Sequence, residues 1–388
     1  MIPKPRIFTP GPTAPLPEAA LAEAGPLPHH RSAEFRALLA EVRQGLQLFF
    51  NTRRDVVVLT SSGTGGLEAV ASAAVTPGRR VVCVNAGKFG ARWAAMARAL
   101  GADVREVVAP PGQAVTVEQV AAELQAGETD AVFVQGCETS TATLHPVREI
   151  AALVRQRPET LLCVDGITWL GAHEARPDEW GLDLVVGASQ KALSMAPGLS
   201  FVSVSEKAER LLEVRTGAPR YYFDLRRELA AQRAGETAFT PAVSLVAACA
   251  RALARLRQHG LDALVDNARR LAAMTRAALG AMGLRLLSAA PADSVTAAFA
   301  PNGVTASRLL DELQKRHGIV AAEGQDGLRN LVFRLAHLGF YDYIDCIGAI
   351  GALEDVLLDL GARFKPGSGL EAAQLQWRGD RSTGVPPG

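Results

Sequence analysis

Between residues 55 and 189 the chain alternates two hydrophobic rhythms. Short β-branched runs occur at DVVVLTS (55–61), RRVVCVNA (79–86), DAVFVQG (130–136), TLLCVDGI (160–167) and DLVVGAS (183–189). Most are apolar nearly throughout, as strands covered on both faces must be. Between them the apolar positions recur at helical spacing: GLEAVASAAV (66–75), ARWAAMARAL (91–100), VEQVAAELQA (117–126) and PVREIAALVRQ (146–156). Strand alternating with helix predicts an α/β fold with a mostly parallel sheet between helices. In such sheets ligands bind beyond the carboxyl ends of the strands.

After Pro241 the rhythm changes. Two long helical patterns separated near Gly260 precede shorter strand-like pieces, DSVTAAFA and LVFRLA, and the amphipathic segments ASRLLDELQKRHG and IDCIGAIGALEDVLLDL. The reading is a large domain over residues 1–259, a smaller α+β C-terminal domain over 260–364, and a Gly-rich polar tail over 365–388, expected to be mobile.

Apolar residues make up 48% of the 388, enough for a large core. The 41 basic residues balance 40 acidic ones, which argues against nucleic acid or an anionic membrane as partner. The proline-rich N-terminus lacks the apolar core of an export signal. Five scattered cysteines, an odd number with no CxxC pair, argue against a disulfide framework or zinc site, so a cytoplasmic location is expected.

Each predicted strand ends in polar or glycine-rich residues. SSGTGGLEA (61–69) runs into a helix, which makes it either a plain glycine turn or an anion cradle. Asp165 closes the fourth run, as a helix cap or a site carboxylate. Lys191 is the one charge in LVVGASQKALSMAPGLSFVSVS (184–205) and one of six lysines in the chain. Burial disfavours an ammonium, lowers its pKa and yields a carbonyl nucleophile. The alternatives are a snorkelling lysine and a phosphate-binding charge. Together, a phosphate cradle, an acid and an amine at neighbouring strand ends meet the needs of pyridoxal phosphate.

At these residues the chain resembles the class V pyridoxal-phosphate aminotransferases, in the alanine–glyoxylate / serine–pyruvate branch. The landmarks are PGP (10–12), SSGTGGLEA, NAGKFG (85–90), CETSTATLHP (137–146), LCVDGITWLGA, GASQKALSMAPG, FTP (239–241) and FRLAHLG (333–339). The resemblance spans roughly residues 6 to 360 and implies a fold-type I enzyme. It implies that Lys191 carries the cofactor and later moves the proton. Asp165 faces the pyridine nitrogen, Ile167 and Phe89 pack the two ring faces, and Thr139 reaches the ring hydroxyl. Thr64, Gly65, Gly66 and Gln190 surround the phosphate, and Thr240 reaches the phosphate of a neighbouring subunit, which implies a homodimer. Arg334 grips the substrate carboxylate, and Gly11 lies on the substrate side. The implied reaction is ping-pong transfer of an amino group from alanine or serine to glyoxylate or pyruvate.

Two positions depart from the family pattern: Phe89 where many members carry tryptophan, and Thr237 where many carry tyrosine. Tyr221 and Tyr222 are candidates to compensate for the latter. Three competing functions share the scaffold: an aminophosphonate transaminase, a non-catalytic subunit of a larger assembly, and a lyase or desulfurase, against which Phe89 stands where a desulfurase has histidine and Cys137 ends a strand where it has a loop cysteine. His29 and His30 are read as a solvated turn over substrate contacts, His337 as structural, Trp169 and Trp180 as core or interface, and Lys88, the rival to Lys191 for the cofactor, as a turn residue.

Overall fold

The computed structural model describes residues 4–215 and 219–382. Its centre is a seven-stranded sheet in the order Val56–Thr60, Leu199–Val204, Leu184–Ala188, Leu161–Asp165, Ala131–Gln135, Arg80–Asn85, Asp103–Val108. Five of these are the runs read from the sequence. Leu199–Val204 pairs antiparallel with both neighbours, and the remaining pairings are parallel.

The continuous apolar runs are explained by cover on both faces. Alternate residues of each strand enter two separate cores. Gly63–Ala74 and Lys88–Ala99 supply Leu67, Val70 and Trp93 to one core. Ala33–Phe50 and Val243–His259 supply Leu39, Leu46, Phe50 and Leu253 to the other. Ala33–Phe50 starts at Ser32, whose hydroxyl accepts the Phe35 N–H, and ends at Asn51 in the left-handed conformation. The edge strand Asp103–Val108 was not read as a strand. Its three charges interrupt the apolar run because only part of it is covered.

The later strand-like pieces form a three-stranded antiparallel sheet, Val295–Phe299, Val332–Ala336 and Ala322–Glu323, with Arg334 paired to Ala297 and Ala322. The tail expectation needs correction. Ser368–Ser382 is a helix packed along Leu261–Ala281 and Tyr343–Asp359; residues 383–388 lie outside the described residues. Its start is fixed by the buried Glu354 carboxylate, which accepts N–H bonds from Gly367, Gly369 and Leu370.

The first described residues form a strap across the molecule. Arg6–Ile7 pairs parallel with Ile319–Val320, Phe8 stacks on Tyr341 at 5.0 Å, and the Phe8 carbonyl accepts the Ala336 N–H. Among the described residues no helix is long and apolar enough to cross a membrane.

Candidate active site

The strap delivers Pro10 and Gly11 to Lys191. The Lys191 Nζ donates to the Pro10 carbonyl at 2.6 Å. Gly11 is required there: a Cβ would stand 2.1 Å from that nitrogen, and its φ of +137° suits glycine. Burial drives the Lys191 pKa down to about 8, Asp165 opposes the shift, and Arg334 reinforces it. Near pH 7 the neutral form is then a minority, but far more abundant than in an ordinary lysine, and it is the nucleophile.

Lys191 lines a cavity of about 100 Å³ at the carboxyl ends of the strands, together with Asp165, Ile167, Gln190, Thr139 and Phe89. Asp165 is buried where its strand ends, opposite Gln135 and Val186. Its Oδ1 accepts the Ile167 N–H at 3.0 Å. Burial raises its pKa to about 6, against that hydrogen bond and against Lys191, so it is still mostly ionised at pH 7.

Opposite lies the start of helix Gly63–Ala74, with Ser62, Gly63 and Thr64 on the cavity wall. Ser62 gives no side-chain cap, and its carbonyl accepts from Gly65 and Gly66. The helix geometry therefore leaves the Gly63 and Thr64 amides for an anion. Gly65 and Gly66 do not line the cavity; they permit close packing. A Cβ on Gly66 would meet Ser200 and Val186 at 2.9 Å, and one on Gly63 would meet Ile167 at 2.7 Å. Gln190 has a buried Oε1 without a partner.

Phe89 is the second residue of helix Lys88–Ala99; the Lys88 amide donates to the Ser140 hydroxyl, and the next two amides are captured by Glu138. Its carboxylate accepts from the Phe89 and Gly90 N–H groups at 3.1 and 3.0 Å and from the Ser140 amide at 3.1 Å. Arg92 lies over the Phe89 ring at 4.9 Å and donates to the Thr64 hydroxyl at 3.0 Å, which adds positive charge beside the free amides. Neither Arg92 nor Glu138 was assigned a role from the sequence. The signal for Arg92 was present: three residues after Phe89 on a helix is the same face. Thr139 shares a 2.6 Å hydrogen bond with Thr168, another residue not singled out.

Arg334 is buried and held by backbone. Its Nε and Nη2 donate to the Glu323 carbonyl at 3.1 and 2.8 Å, and its Nη1 donates to the Thr139 carbonyl at 2.9 Å. Burial lowers its pKa to about 10, so it stays charged. A guanidinium has five N–H groups, so one remains on each terminal nitrogen.

Other residues singled out above lie away from the cavity. Thr240 is exposed beside Phe239, which stacks on Tyr222 at 5.0 Å. Thr237 is buried and turns its hydroxyl to the Phe239 carbonyl at 2.7 Å. His337 bonds Thr296, Trp169 is buried, and Lys88 pairs with Asp326 at 3.2 Å. Cys137 is buried, and its thiol is pushed up to about 12 by that burial. Among the described residues no group of three potential ligands could hold a metal ion.

A profile described as aminotransferase class-V matches residues 21–340. The chain belongs to the class-V aminotransferase family. A protein of Synechococcus sp. named soluble hydrogenase, small subunit, is 38% identical over 95% of this chain and 97% of its own. An L-aspartate–glyoxylate aminotransferase of Paracoccus denitrificans is 32% identical over 96% of each chain. The crystal structure of an alanine–glyoxylate aminotransferase from Nostoc sp. superposes with a TM-score of 0.86 at 28% identity, covering 92% of this chain and 96% of that one.

Membership of the class-V family makes the protein a pyridoxal-phosphate-dependent transaminase acting on amino and keto acids. The residues present fit that cofactor. A partly neutral lysine, a buried ionised carboxylate, two helix-start amides beside an arginine, a glutamine carboxamide and an aromatic wall surround one cavity.

Proposed function

We propose that the enzyme transfers the amino group of a small amino acid, alanine or serine, to glyoxylate or pyruvate, in two half-reactions at one site. The observation that carries this reading is the Arg334 guanidinium. Backbone carbonyls fix its plane and leave two N–H groups for an α-carboxylate, close enough to Lys191 to depress its pKa.

The cofactor supplies an aldehyde that condenses with amines and a ring that accepts the electron pair of the substrate Cα–H bond. Lys191 Nζ would hold the aldehyde between turnovers; once displaced by substrate, it would take the proton from the substrate Cα and deliver it to the former aldehyde carbon, C4′. Asp165 is assigned to the pyridine nitrogen, where its charge keeps a proton. Thr64, Gln190, Arg92 and the Gly63 amide are assigned to the phosphate, with Gly65 and Gly66 supporting the turn. Phe89 and Ile167 are assigned to the ring faces, and Thr139 to the ring hydroxyl. Gly11 leaves room beside Lys191 for the substrate. Thr240, exposed and away from the cavity of its own chain, is assigned to the cofactor phosphate of a second copy, which makes the working unit a homodimer.

The test is a spectral titration of protein reconstituted with pyridoxal 5′-phosphate. Alanine or serine should bleach the visible band, and glyoxylate or pyruvate should restore it. Initial rates should give parallel double-reciprocal lines. A band that no small amino acid bleaches would overturn the substrate assignment, and borohydride fixation of the cofactor away from Lys191 would overturn the site.

A further inference from the structure

A second cavity, about 340 Å³, lies behind the turn that follows Lys191 and is separate from the one above. Its volume is within the range of small-molecule sites, about 300–1,000 Å³. One wall is the turn itself, Ala192 to Ser194, closed by the Ser194 N–H to the Lys191 carbonyl at 2.9 Å. The other walls come from the end of helix Val243–His259, the start of Leu261–Ala281, and residues 339–345.

The lining has a definite chemistry. Leu16, Leu193, Leu256, Leu264 and Tyr341 make it predominantly apolar. Ser194 is 1% exposed, has φ +49°, and its hydroxyl has no partner. That residue therefore shapes the wall, and its sealed hydroxyl does not face the cavity. Arg255 presents a cation on the rim; it lies over the Phe340 ring at 4.7 Å and meets Glu18 only at 3.6 Å. Asp342 and Asp345 supply anions, each spending one oxygen on the other's backbone N–H.

We propose that this cavity binds a free apolar α-amino acid of leucine size. Arg255 takes the carboxylate, Asp342 and Asp345 take the ammonium, and the apolar walls take the side chain. Zwitterion recognition needs both charges, which the rim supplies, and the apolar lining favours a leucine-sized side chain over alanine or serine, which bury far less apolar area. Occupancy bears on the Lys191 turn, so the site is an effector site acting on the lysine through the Ala192–Ser194 wall. The Leu16 N–H to the Ser194 carbonyl at 2.8 Å and the Thr13 hydroxyl to the Lys191 carbonyl at 3.0 Å tie that turn to the strap.

The experiment is calorimetric titration of L-leucine into holoenzyme whose catalytic site has been sealed with aminooxyacetate, so that binding there is not counted. One leucine per chain with a Kd of about 1 mM or tighter is expected. Ala263→Trp fills the exposed mouth, and Arg255→Gln removes the cation. Each should weaken binding by about tenfold or more while transamination without leucine stays unchanged. In unsealed enzyme, leucine should alter the KM for the small donor in wild type but not in Ala263→Trp. No binding to sealed enzyme overturns the proposal, as does binding that survives Ala263→Trp. If 4-methylvalerate or isoamylamine bind as tightly as leucine, the zwitterion assignment is overturned. Because the sealed enzyme is titrated, failure here leaves the catalytic assignment standing.

Discussion

Lys191 and Arg334 show how burial turns ordinary side chains into reagents. Removing the Lys191 amine with Lys191→Met should abolish the visible band and turnover while leaving the fold, measured by circular dichroism, intact. The pH dependence follows from the lowered value of about 8 against the usual 10.5. Between those values the unfolded chain holds a proton that the folded chain has released, so cofactor-free protein gains stability with rising pH across that window. Subtracting the Lys191→Met melting curve from wild type isolates the effect, and no difference between the two would refute the buried, depressed amine. Replacing Arg334 with Gln should raise KM for the amino donor by roughly 10- to 100-fold, the worth of a charged hydrogen bond, as steady-state kinetics would read. At this scale the sequence was most informative where charge was rarest. Lys191 stood alone in an apolar run, and its burial is what gives it function. Arg92 and Glu138 were harder to read because their roles depend on neighbours brought in from other strand ends.

Elements were legible in proportion to how evenly they are covered. Strands buried on both faces wrote themselves as unbroken apolar runs, whereas the half-covered edge strand Asp103–Val108 did not. The helix Ser368–Ser382 was missed for a related reason. Leu370, Ala373 and Trp377 carry its contact with the body, a helical spacing diluted by polar residues. Glu354 should anchor this element. Glu354→Ala leaves three N–H groups without their acceptor and should cost about 1–3 kcal/mol in urea unfolding. An unchanged midpoint would show that the helix is held by its apolar stripe alone.

For the whole molecule, the shared-site assignment predicts twice the chain mass in light scattering. Thr240→Ala should release cofactor faster on dialysis without lowering the mass, because one lost phosphate contact weakens retention and leaves the rest of the interface untouched. The N-terminal strap has a consequence for how the protein comes into being. Its first strand is translated early, yet the partner it pairs with, Ile319–Val320, and the Tyr341 hydroxyl that holds the Ile7 carbonyl are translated more than 300 residues later. On the ribosome, then, the strap can dock on the Lys191 turn through Thr13 and Leu16 well before Ile319–Val320 exists to pair with its first strand, so the two ends of the strap are secured at different stages of synthesis.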